Sequence, residues 1–503
     1  MKNFINQLIL LLFAIAIFSS CSEPESQSTK TPNIIIIYAD DLGFGDLSSY
    51  GATEISTANI DRIAKEGIKF TNGYASSATC TPSRYALLTG EYPWRNTRAK
   101  ILPGDAPLLI DPSKPTLPSI LKKANYATAI IGKWHLGLGG KNRDWNEEIT
   151  PGPNEIGFDY SYIMASTNDR VPSVYVENNK VAGLSANDPL EVNYKENFSG
   201  EPTGRDNPEL LKMHPSNGHD MSIHNGISRI GFMRGGKSAL WVDEDMADNL
   251  LNRSLNYIKD NKEKPFFLFY SLHQPHVPRT PHPRFAGTSG MGPRGDVILE
   301  IDYAVGELLD LLDSLALTEN TIVVFSSDNG PVLDDGYQDD AVTKIGNHTP
   351  AGILRGGKYS LFDAGTHVPF MVRWPGTITA GTSDALVCQI DFAASFAALT
   401  NQKNTTPDSE NVLDALLGKS ATGRKNLVLE AIGSTFYREE QWVMIPPSKG
   451  TALIKSVNIE TGKAAEYQLY NLAEDPSQQN NLSKKEPEKL QQMITDYEAF
   501  ISI

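Results

Sequence analysis

Runs of consecutive apolar residues alternate with amphipathic stretches along most of the chain. Ile34 to Tyr38 is an unbroken, largely β-branched run, which is typical of a strand buried on both faces of a parallel sheet. Val297 to Leu315 instead repeats its apolar residues at helical spacing. The same reasoning predicts strands at Thr128 to Ile131, Pro265 to Tyr270, Thr321 to Phe325 and Val368 to Arg373, and helices at Asn59 to Gly67, Thr116 to Asn125, Asp243 to Lys262 and Ile390 to Leu399. This alternation predicts an α/β fold with a large, mainly parallel sheet sandwiched by helices.

The pattern changes after about residue 435. Short candidate strands follow at Trp442 to Ile445, Ala452 to Ser456 and Tyr467 to Tyr470, and a terminal helix is predicted from Lys484 to Ile503. We therefore predict an α/β domain over residues 32–435 and a small C-terminal domain of antiparallel sheet and helix over residues 436–503. Residues 137–235 are rich in Gly, Pro and Asn without a clear period, so they are predicted to form an irregular functional or insertional segment.

Polar residues stand just past the ends of four predicted strands. Because ligands bind at the carboxyl edge of open α/β sheets, these clusters predict a site there. The four clusters are Asp40 with Asp41, Lys133 with His135, His273 with His276, and Asp328 with Asn329.

A single cysteine lies in a distinctive setting between residues 80 and 90. Pro82 suits the first turn of a helix and Gly90 suits its end, so Cys80 is predicted at or just before a helix N-terminus, where an anion is favoured. Arg84 lies one turn further on the same side. Taken alone, this pattern is also typical of a buried cysteine in a helix-capping turn.

The whole string, Cys-x-Pro-Ser-Arg followed by Leu-x-Thr-Gly, resembles the signature of the type I sulfatases of the alkaline-phosphatase-like superfamily. The resemblance extends over roughly residues 31 to 482, including Tyr467 to Pro476 with Asn481 and Leu482 near its end. It implies that a formylglycine-generating maturation enzyme oxidises Cys80 to formylglycine (3-oxoalanine). The hydrated aldehyde of that residue is the family's nucleophile.

Composition limits the classes of function. The formal net charge is −15 and the pI about 5.1, which argues against non-specific nucleic-acid binding. Three cysteines in 503 residues exclude a disulfide scaffold. Cys388 lies in an apolar run and is predicted to be a buried structural thiol.

The N-terminal segment is predicted to direct export. Residues 1–21 combine Lys2 with an apolar run from Leu8 to Phe18 that is too short to span a bilayer. Small residues precede Cys21, which resembles a bacterial lipoprotein signal with Cys21 as the lipidated residue; because Phe18 replaces the usual Leu, a simply cleaved signal is the alternative. Residues 22–31 are predicted to be a flexible tether. We therefore expect a periplasmic, outer-membrane-anchored or cell-surface protein that meets the membrane only through lipid.

The acidic clusters predict a site for a hard cation. Asp40, Asp41, Asp328 and Asn329 offer oxygen ligands, which favour Ca²⁺ or Mg²⁺ over zinc. Either pair alone is equally typical of a cap or turn. The family resemblance implies that these four residues and the modified Cys80 hold one cation, generally Ca²⁺, with Mg²⁺ as the alternative.

The resemblance also implies roles for the charged residues around this site. Arg84, Lys133 and Lys358, the last in a family lysine motif, stabilise charge on the transferring sulfuryl group. His276 matches the family's His-x-Pro element and protonates the leaving sugar oxygen with help from Lys358. Asp328 is the candidate base for the attacking hydroxyl, and His135 accepts the proton of the second hydroxyl when sulfate is expelled. For both lysines, ordinary solvated surface charge is the alternative.

Substrate recognition is less constrained by the sequence. Loop polarity explains the candidate sugar contacts equally well; these are Asp169, Arg170, His273, Asp334, Asp335 and His348. An exported enzyme of this kind predicts a sulfated polysaccharide or its oligosaccharides as substrate, either algal (ulvan or carrageenan) or a glycosaminoglycan. The sugar, the sulfated carbon, exo or endo action and the oligomeric state stay open.

The sequence is also compatible with two other functions. A phosphodiesterase or phosphonate hydrolase of the same superfamily usually carries Asp-His-Gly with two zinc ions, where this chain has Asp328, Asn329 and Gly330. A non-catalytic glycan-binding lipoprotein is the second alternative, and an intact Cys80 motif argues against it.

Overall fold

The computed structural model describes residues 31–502. The predicted signal, Cys21 and nearly all of the predicted tether therefore lie outside the described residues. Within the described part, no helix combines the length and apolar character needed to cross a bilayer.

A ten-stranded sheet forms the centre of the fold. Its five central strands run parallel, whereas antiparallel strands predominate towards both edges. In spatial order the strands are Gly381–Ser383, Gly67–Phe70, Phe370–Arg373, Thr321–Ser327, Asn33–Ala39, Phe266–Ser271, Ala127–Lys133, Tyr160–Met164, Tyr175–Glu177 and Lys180–Val181. The predicted α/β fold with a mainly parallel sheet is confirmed.

Both faces of this sheet are covered, as the unbroken apolar run predicted. Ile34 and Ile36 pack into one hydrophobic cluster, and Ile35 and Ile37 into another on the opposite face. Burying both faces removes every side chain of the strand from water, which explains why the run contains no polar position. The helices of the described part are Ile60–Lys65, Cys80–Thr89, Leu117–Lys123, Met246–Asn261, Gly292–Ser314, Phe392–Leu399, Leu413–Leu416 and Pro487–Ile501.

The segment 137–235 is more ordered than its composition predicted. Tyr160–Met164 is the fifth parallel strand of the large sheet, and two further short strands extend that edge. The segment also contains two short antiparallel pairs, Glu191–Asn193 with Phe232–Arg234 and Ile223–His224 with Ile227–Ser228. Strands this short are held by backbone pairing and leave too few alternating positions to show a period.

A four-stranded antiparallel sheet forms the C-terminal part, confirming the predicted small sheet and its terminal helix. Its strands are Asn426–Ala431, Ser434–Glu439, Trp442–Ile445 and Gln468–Asn471, beside the short pair Leu453–Ile454 and Ile459–Glu460. The sheet thus begins before residue 436, and the predicted boundary falls inside its second strand. Cys388, in a short pair of Val387–Cys388 with Gly73–Tyr74, is buried and free as predicted.

The parallel strands bring the predicted polar clusters together. Asn33–Ala39 lies between Thr321–Ser327 and Phe266–Ser271, and Ala127–Lys133 follows beside the latter. All four end at the same edge, so the residues after Ala39, Ser271 and Ser327, and Lys133 itself, converge there.

Candidate active site

Cys80 begins the helix Cys80–Thr89, which Gly90 ends in the left-handed conformation at φ 61°, as the motif predicted. Its side chain is buried, and Sγ lies 3.2 Å from Nδ1 of His135. Burial raises the pKa of the Cys80 thiol, although Lys133 and Lys358 act in the opposite direction. An unmodified thiol here is therefore mainly protonated and a poor nucleophile at neutral pH.

His135 is held beside Cys80 in a left-handed backbone conformation, φ 56°. Nε2 lies 2.9 Å from the Leu102 carbonyl, and Arg170 donates to that carbonyl from 2.9 Å. Burial lowers the pKa of His135 well below its ordinary value, and the nearby Lys133 and Arg170 lower it further. When Nε2 donates to Leu102, the neutral ring presents the Nδ1 lone pair to position 80.

Four oxygen-bearing side chains form a fully buried cluster at the sheet edge, as predicted. Asp41 Oδ1 accepts a hydrogen bond from Asn329 Nδ2 at 2.7 Å, and the Asp41 amide donates to Asp328 Oδ1 at 3.2 Å. Asp40 Oδ1 and Asn329 Oδ1 have no hydrogen-bond partner. Buried oxygens without partners are costly unless something else binds them, and a hard divalent cation suits this donor set.

Ligand atoms of Asp40, Asp41 and His276 lie within 4.8 Å of one another. The partnerless Asn329 oxygen offers a further oxygen ligand beside the two aspartates. A ligand set made of oxygen atoms matches the preference of Ca²⁺ or Mg²⁺ better than one that includes the His276 nitrogen.

Arg84 is engaged with the acidic cluster. Its Nη2 lies 2.7 Å from Asp328 Oδ2, and Nη1 donates to Ser271 Oγ at 2.5 Å. Neither side chain of the Arg84–Asp328 pair is exposed by more than 1%. Arg84 therefore orients Asp328, and both oxygens of this candidate base accept bonds within the cluster.

The two candidate lysines are buried rather than solvated. Lys133 Nζ lies 2.5 Å from Asp40 Oδ2. Lys358 Nζ lies 2.9 Å from Asp41 Oδ2 and 2.7 Å from Asp335 Oδ2. Burial opposes the charge of Lys358, but Asp335 and Asp41 raise its pKa well above the ordinary value. Lys358 therefore provides positive charge beside the acidic cluster. Both lysines are buried in ion pairs, so the surface-charge alternative does not apply.

His276 lies between two cis peptides, Gln274–Pro275 and Val277–Pro278. Its Nδ1 is 2.6 Å from the Val277 carbonyl, and its Nε2 is 3.9 Å from Asp41 Oδ2. Burial lowers the pKa of His276 well below its ordinary value, reinforced by Lys358 and Lys133. His273 is also buried; burial lowers its pKa to about 4, and its Nδ1 has no partner.

The candidate sugar contacts lie in different parts of the structure and have different neighbours. Arg170 lies beside His135, and its neighbour Asp169 accepts from His219 Nε2 at 3.0 Å. Burial raises the pKa of Asp169, but Arg170 and His219 lower it to well below the ordinary value, so it is ionised. Its Oδ1 has no partner.

The other three candidates have different neighbours. Asp335 binds Lys358, and Asp334 accepts from Ser216 Oγ at 2.5 Å. His348 lies 2.8 Å from Asp46, whose carboxylate also binds Arg294 at 2.7 Å through both oxygens. His348 thus belongs to a buried ion-pair cluster of its own.

Sequence reasoning missed several residues of this region. Ser271 contacts Arg84, His219 contacts Asp169, and the Tyr359 hydroxyl lies 3.1 Å from Asp335. His219 sits in the segment without a period, and an isolated Ser or Tyr carries no signal. Ser271 could have been found from its place at the end of a predicted strand.

Comparison with known proteins adds independent information. A family model described as Sulfatase matches residues 32–402. The chain is 51% identical over 502 residues to N-acetylgalactosamine-6-O-sulfatase of Bacteroides thetaiotaomicron, covering 98% of each. It is 31% identical over 403 residues to human N-acetylgalactosamine-6-sulfatase, covering 78% of this chain and 66% of that one. A solved structure from work on the metabolism of multiple glycosaminoglycans by Bacteroides thetaiotaomicron superposes with a TM-score of 0.93 at 51% identity, covering 95% of this chain and all of that one.

Proposed function

Because the chain belongs to the sulfatase family, as the motif around Cys80 predicted, we propose that it hydrolyses the 6-O-sulfate ester of N-acetylgalactosamine in glycosaminoglycan oligosaccharides. The observation that carries this proposal is the 51% identity over 98% of both chains to a protein with that activity in its name. The structure solved in complex with k-i-k-neocarrahexaose is 23% identical to this chain, and this likeness supports the shared fold but not an algal substrate.

The acidic cluster supports a cation as part of the site. Oxygens of Asp40, Asp41, Asp328 and Asn329 would hold Ca²⁺, which would polarise a bound sulfate oxygen as a Lewis acid. A formylglycine at position 80 supplies a hydrated aldehyde as the nucleophile. The buried, protonated Cys80 thiol supports this conversion, because the unmodified side chain is a weak nucleophile in its surroundings.

The chain's own residues then have separable tasks. Lys133 and Lys358 place two buried ammonium groups where a sulfate ester needs charge compensation. His135, with its low pKa and with Nδ1 facing position 80, accepts a proton from the group there. His276 turns Nε2 towards the acidic cluster, and its proposed task is to donate a proton to the leaving sugar oxygen. This task requires that the negative sulfate offset the lowering of the His276 pKa by burial.

Asp169, Arg170 and His219 are the proposed sugar contacts. The partnerless oxygen of ionised Asp169 supports this role, because it offers an acceptor for a sugar hydroxyl. His219 lies against the second oxygen and retains some exposure, with 12% of its side chain accessible. A hydroxyl of the N-acetylgalactosamine ring would therefore meet a charged acceptor whose other oxygen is already oriented.

We also propose that the chain is exported and lipidated at Cys21. The apolar run before Cys21 and the small residues beside it support this. Labelling cells with a radioactive fatty acid tests it: label is expected on the wild type and absent from Cys21→Ala, whereas equal labelling would rule out this attachment.

The catalytic proposal is tested by sulfate release, measured by ion chromatography. The protein is expressed with a formylglycine-generating enzyme, and conversion is verified by peptide mass. The panel contains N-acetylgalactosamine 6-sulfate, its 4-sulfate isomer, N-acetylglucosamine 6-sulfate, a chondroitin 6-sulfate disaccharide, a carrageenan oligosaccharide and a phosphodiester.

We expect release from the galactosamine 6-sulfates and none from Cys80→Ala. Preference for the 4-sulfate or for carrageenan would contradict the proposed substrate. Activity on the phosphodiester alone, or two zinc ions per chain, would favour the phosphodiesterase alternative, and a converted but inactive protein that binds the oligosaccharide would favour the glycan-binding one.

A further inference from the structure

Lys358 stands between two carboxylates with different tasks. Asp41 is one of the proposed cation ligands, and its Oδ2 accepts from Lys358 Nζ at 2.9 Å. Asp335 Oδ2 accepts from the same Nζ at 2.7 Å. An ammonium group bound to Asp41 competes with a divalent cation for the same oxygen. The affinity of the site for the cation therefore depends on whether Lys358 binds Asp41 or Asp335.

Asp335 is suited to hold this lysine. Only 13% of its side chain is exposed, so its attraction for the buried ammonium is weakly screened by water. The hydroxyl of Tyr359 donates towards both carboxylate oxygens, at 3.1 and 3.2 Å, and thus orients Asp335. A phenol and an ammonium group therefore share one partly buried carboxylate.

The backbone of this segment is held in an unusual conformation. Tyr359 has φ 74°, a left-handed value that is unfavourable for a bulky residue. Its amide donates to the Ala78 carbonyl at 2.8 Å, and the Lys358 amide donates to the Pro331 carbonyl at 2.9 Å. These bonds tie the lysine and the tyrosine to the chain segments that lead to Cys80 and follow Asn329. The strained backbone keeps the phenol beside Asp335 while Lys358 faces the site.

We propose that Asp335, oriented by Tyr359, is a positioning residue that draws Lys358 off Asp41 and thereby leaves Asp41 available to the divalent cation. The inference rests on the cation-binding part of the proposed function and is independent of the sugar that is cleaved. It also assigns Asp335 a partner different from the sugar hydroxyl that the sequence suggested.

Calcium binding measured by isothermal titration calorimetry tests this without any substrate. Formylglycine-converted protein is stripped of metal with a chelator and titrated with Ca²⁺. We expect Asp335→Asn to raise the Kd for Ca²⁺ about tenfold, which corresponds to the loss of one favourable buried charge pair. Tyr359→Phe, which changes no charge, is expected to raise the Kd about threefold. Asp334→Asn is the matched control: it removes the charge of the adjacent residue, whose carboxylate accepts from Ser216. We expect this variant to leave the Kd unchanged.

The same substitution in the Lys358→Met variant distinguishes positioning of Lys358 from direct electrostatic attraction between Asp335 and the cation. With Lys358→Met there is no competing ammonium, so adding Asp335→Asn is expected to change the Kd less than twofold. An equal loss in both backgrounds would overturn the proposal and leave only through-space attraction. An unchanged Kd in Asp335→Asn, or a wild-type protein that binds no Ca²⁺, would overturn it as well. Thermal melting of each variant checks the fold, and the conservative Tyr359→Phe keeps the test open if Asp335→Asn unfolds.

The two proposals fail in distinguishable ways. Absence of sulfate release with normal calcium titrations would contradict the proposed substrate alone. Sulfate release with no coupling between Asp335 and Lys358 would contradict the positioning role alone.

Discussion

Sγ of Cys80 lies 3.2 Å from Nδ1 of His135, and the far side of the imidazole ring lies against the Leu102 carbonyl. This arrangement gives the group at position 80 one neutral base within hydrogen-bond distance. When Nε2 donates to the Leu102 carbonyl, Nδ1 is the unprotonated ring nitrogen that faces position 80.

Replacing His135 by Ala should therefore affect the chemical step. We expect kcat for sulfate release to fall about a hundredfold or more, the usual contribution of a positioned base. His214→Ala, an exposed histidine, serves as the matched control and should keep the wild-type rate. Both proteins must contain equal amounts of formylglycine by mass. A kcat close to wild type in His135→Ala would rule out this base.

Calcium should stabilise the folded protein through the oxygens that have no partner. At a concentration about 100 times its Kd, a ligand adds about 2.7 kcal/mol to the free energy of unfolding. We expect Tm to rise with Ca²⁺ in the wild type, and to rise much less in Asn329→Ala, which lacks the partnerless Oδ1. The exposed Asn256→Ala is the control. An equal calcium-induced rise in Tm in all three proteins would place the binding site elsewhere.

His219 should act on substrate binding rather than on the reaction. It contacts Asp169, so His219→Ala leaves that carboxylate less well oriented towards the sugar. We expect KM to rise about tenfold with kcat changed less than threefold, the size of one charge-assisted hydrogen bond. Arg205→Ala removes an exposed ion pair of the same segment and is the control. Unchanged KM in His219→Ala would contradict this contact.

His348 should behave in the opposite way. Its Nε2 contacts the buried Asp46, which is also bound by Arg294 and the Gly43 amide. We expect His348→Ala to lower the free energy of unfolding by about 1–3 kcal/mol, because a buried carboxylate oxygen loses a partner. Urea denaturation measures this change, and KM should stay at the wild-type value. A raised KM with unchanged stability would restore His348 as a sugar contact.

Glu300 should make stability depend on pH. Burial raises its pKa to about 7 from 4.5, and its carboxylate accepts from the His282 amide and Gln274. Between these two pKa values the folded state keeps a proton that the unfolded state has released. Stability therefore falls as pH rises from about 4.5 to 7, by roughly 3 kcal/mol in total.

Glu300→Gln keeps an uncharged group at this position and should remove that loss. We expect its free energy of unfolding, relative to wild type, to increase between pH 5 and pH 8 in urea titrations. Glu307→Gln, on the exposed face of the same helix, should run parallel to wild type. Parallel curves for Glu300→Gln would show that Glu300 is ionised throughout.

Much of this site could be predicted from local patterns. The run from Ile34 to Tyr38 predicted a strand buried on both faces, and the residues after it therefore had to lie at a sheet edge. The same argument located Lys133 and Asp328, because parallel strands end side by side. The helix at Cys80 followed from Pro82 and Gly90, which act on the backbone within one turn.

Other features depended on contacts between distant parts of the chain. The strand Tyr160–Met164 carries no alternation long enough to reveal it, yet its backbone groups pair with Ala127–Lys133. Asp335 was recognised as polar, but its neighbour Lys358 follows from the packing of two loops. His348 was predicted as a sugar contact because it is a polar residue in a loop. In the structure it instead contacts Asp46, which is 302 positions away in the sequence.

The difference between the features that the sequence predicts and those that depend on tertiary contacts has a physical origin. Backbone preferences and hydrophobic periodicity act over a few residues, so the strands, the helix at Cys80 and the oxygen ligands beyond the strand ends can be inferred from the chain alone. Which charges meet is settled when loops pack, because a buried ionic group takes whichever partner the fold brings within about 3 Å. The pairing of Lys358 with Asp335, and of His348 with Asp46, is therefore a property of the folded protein.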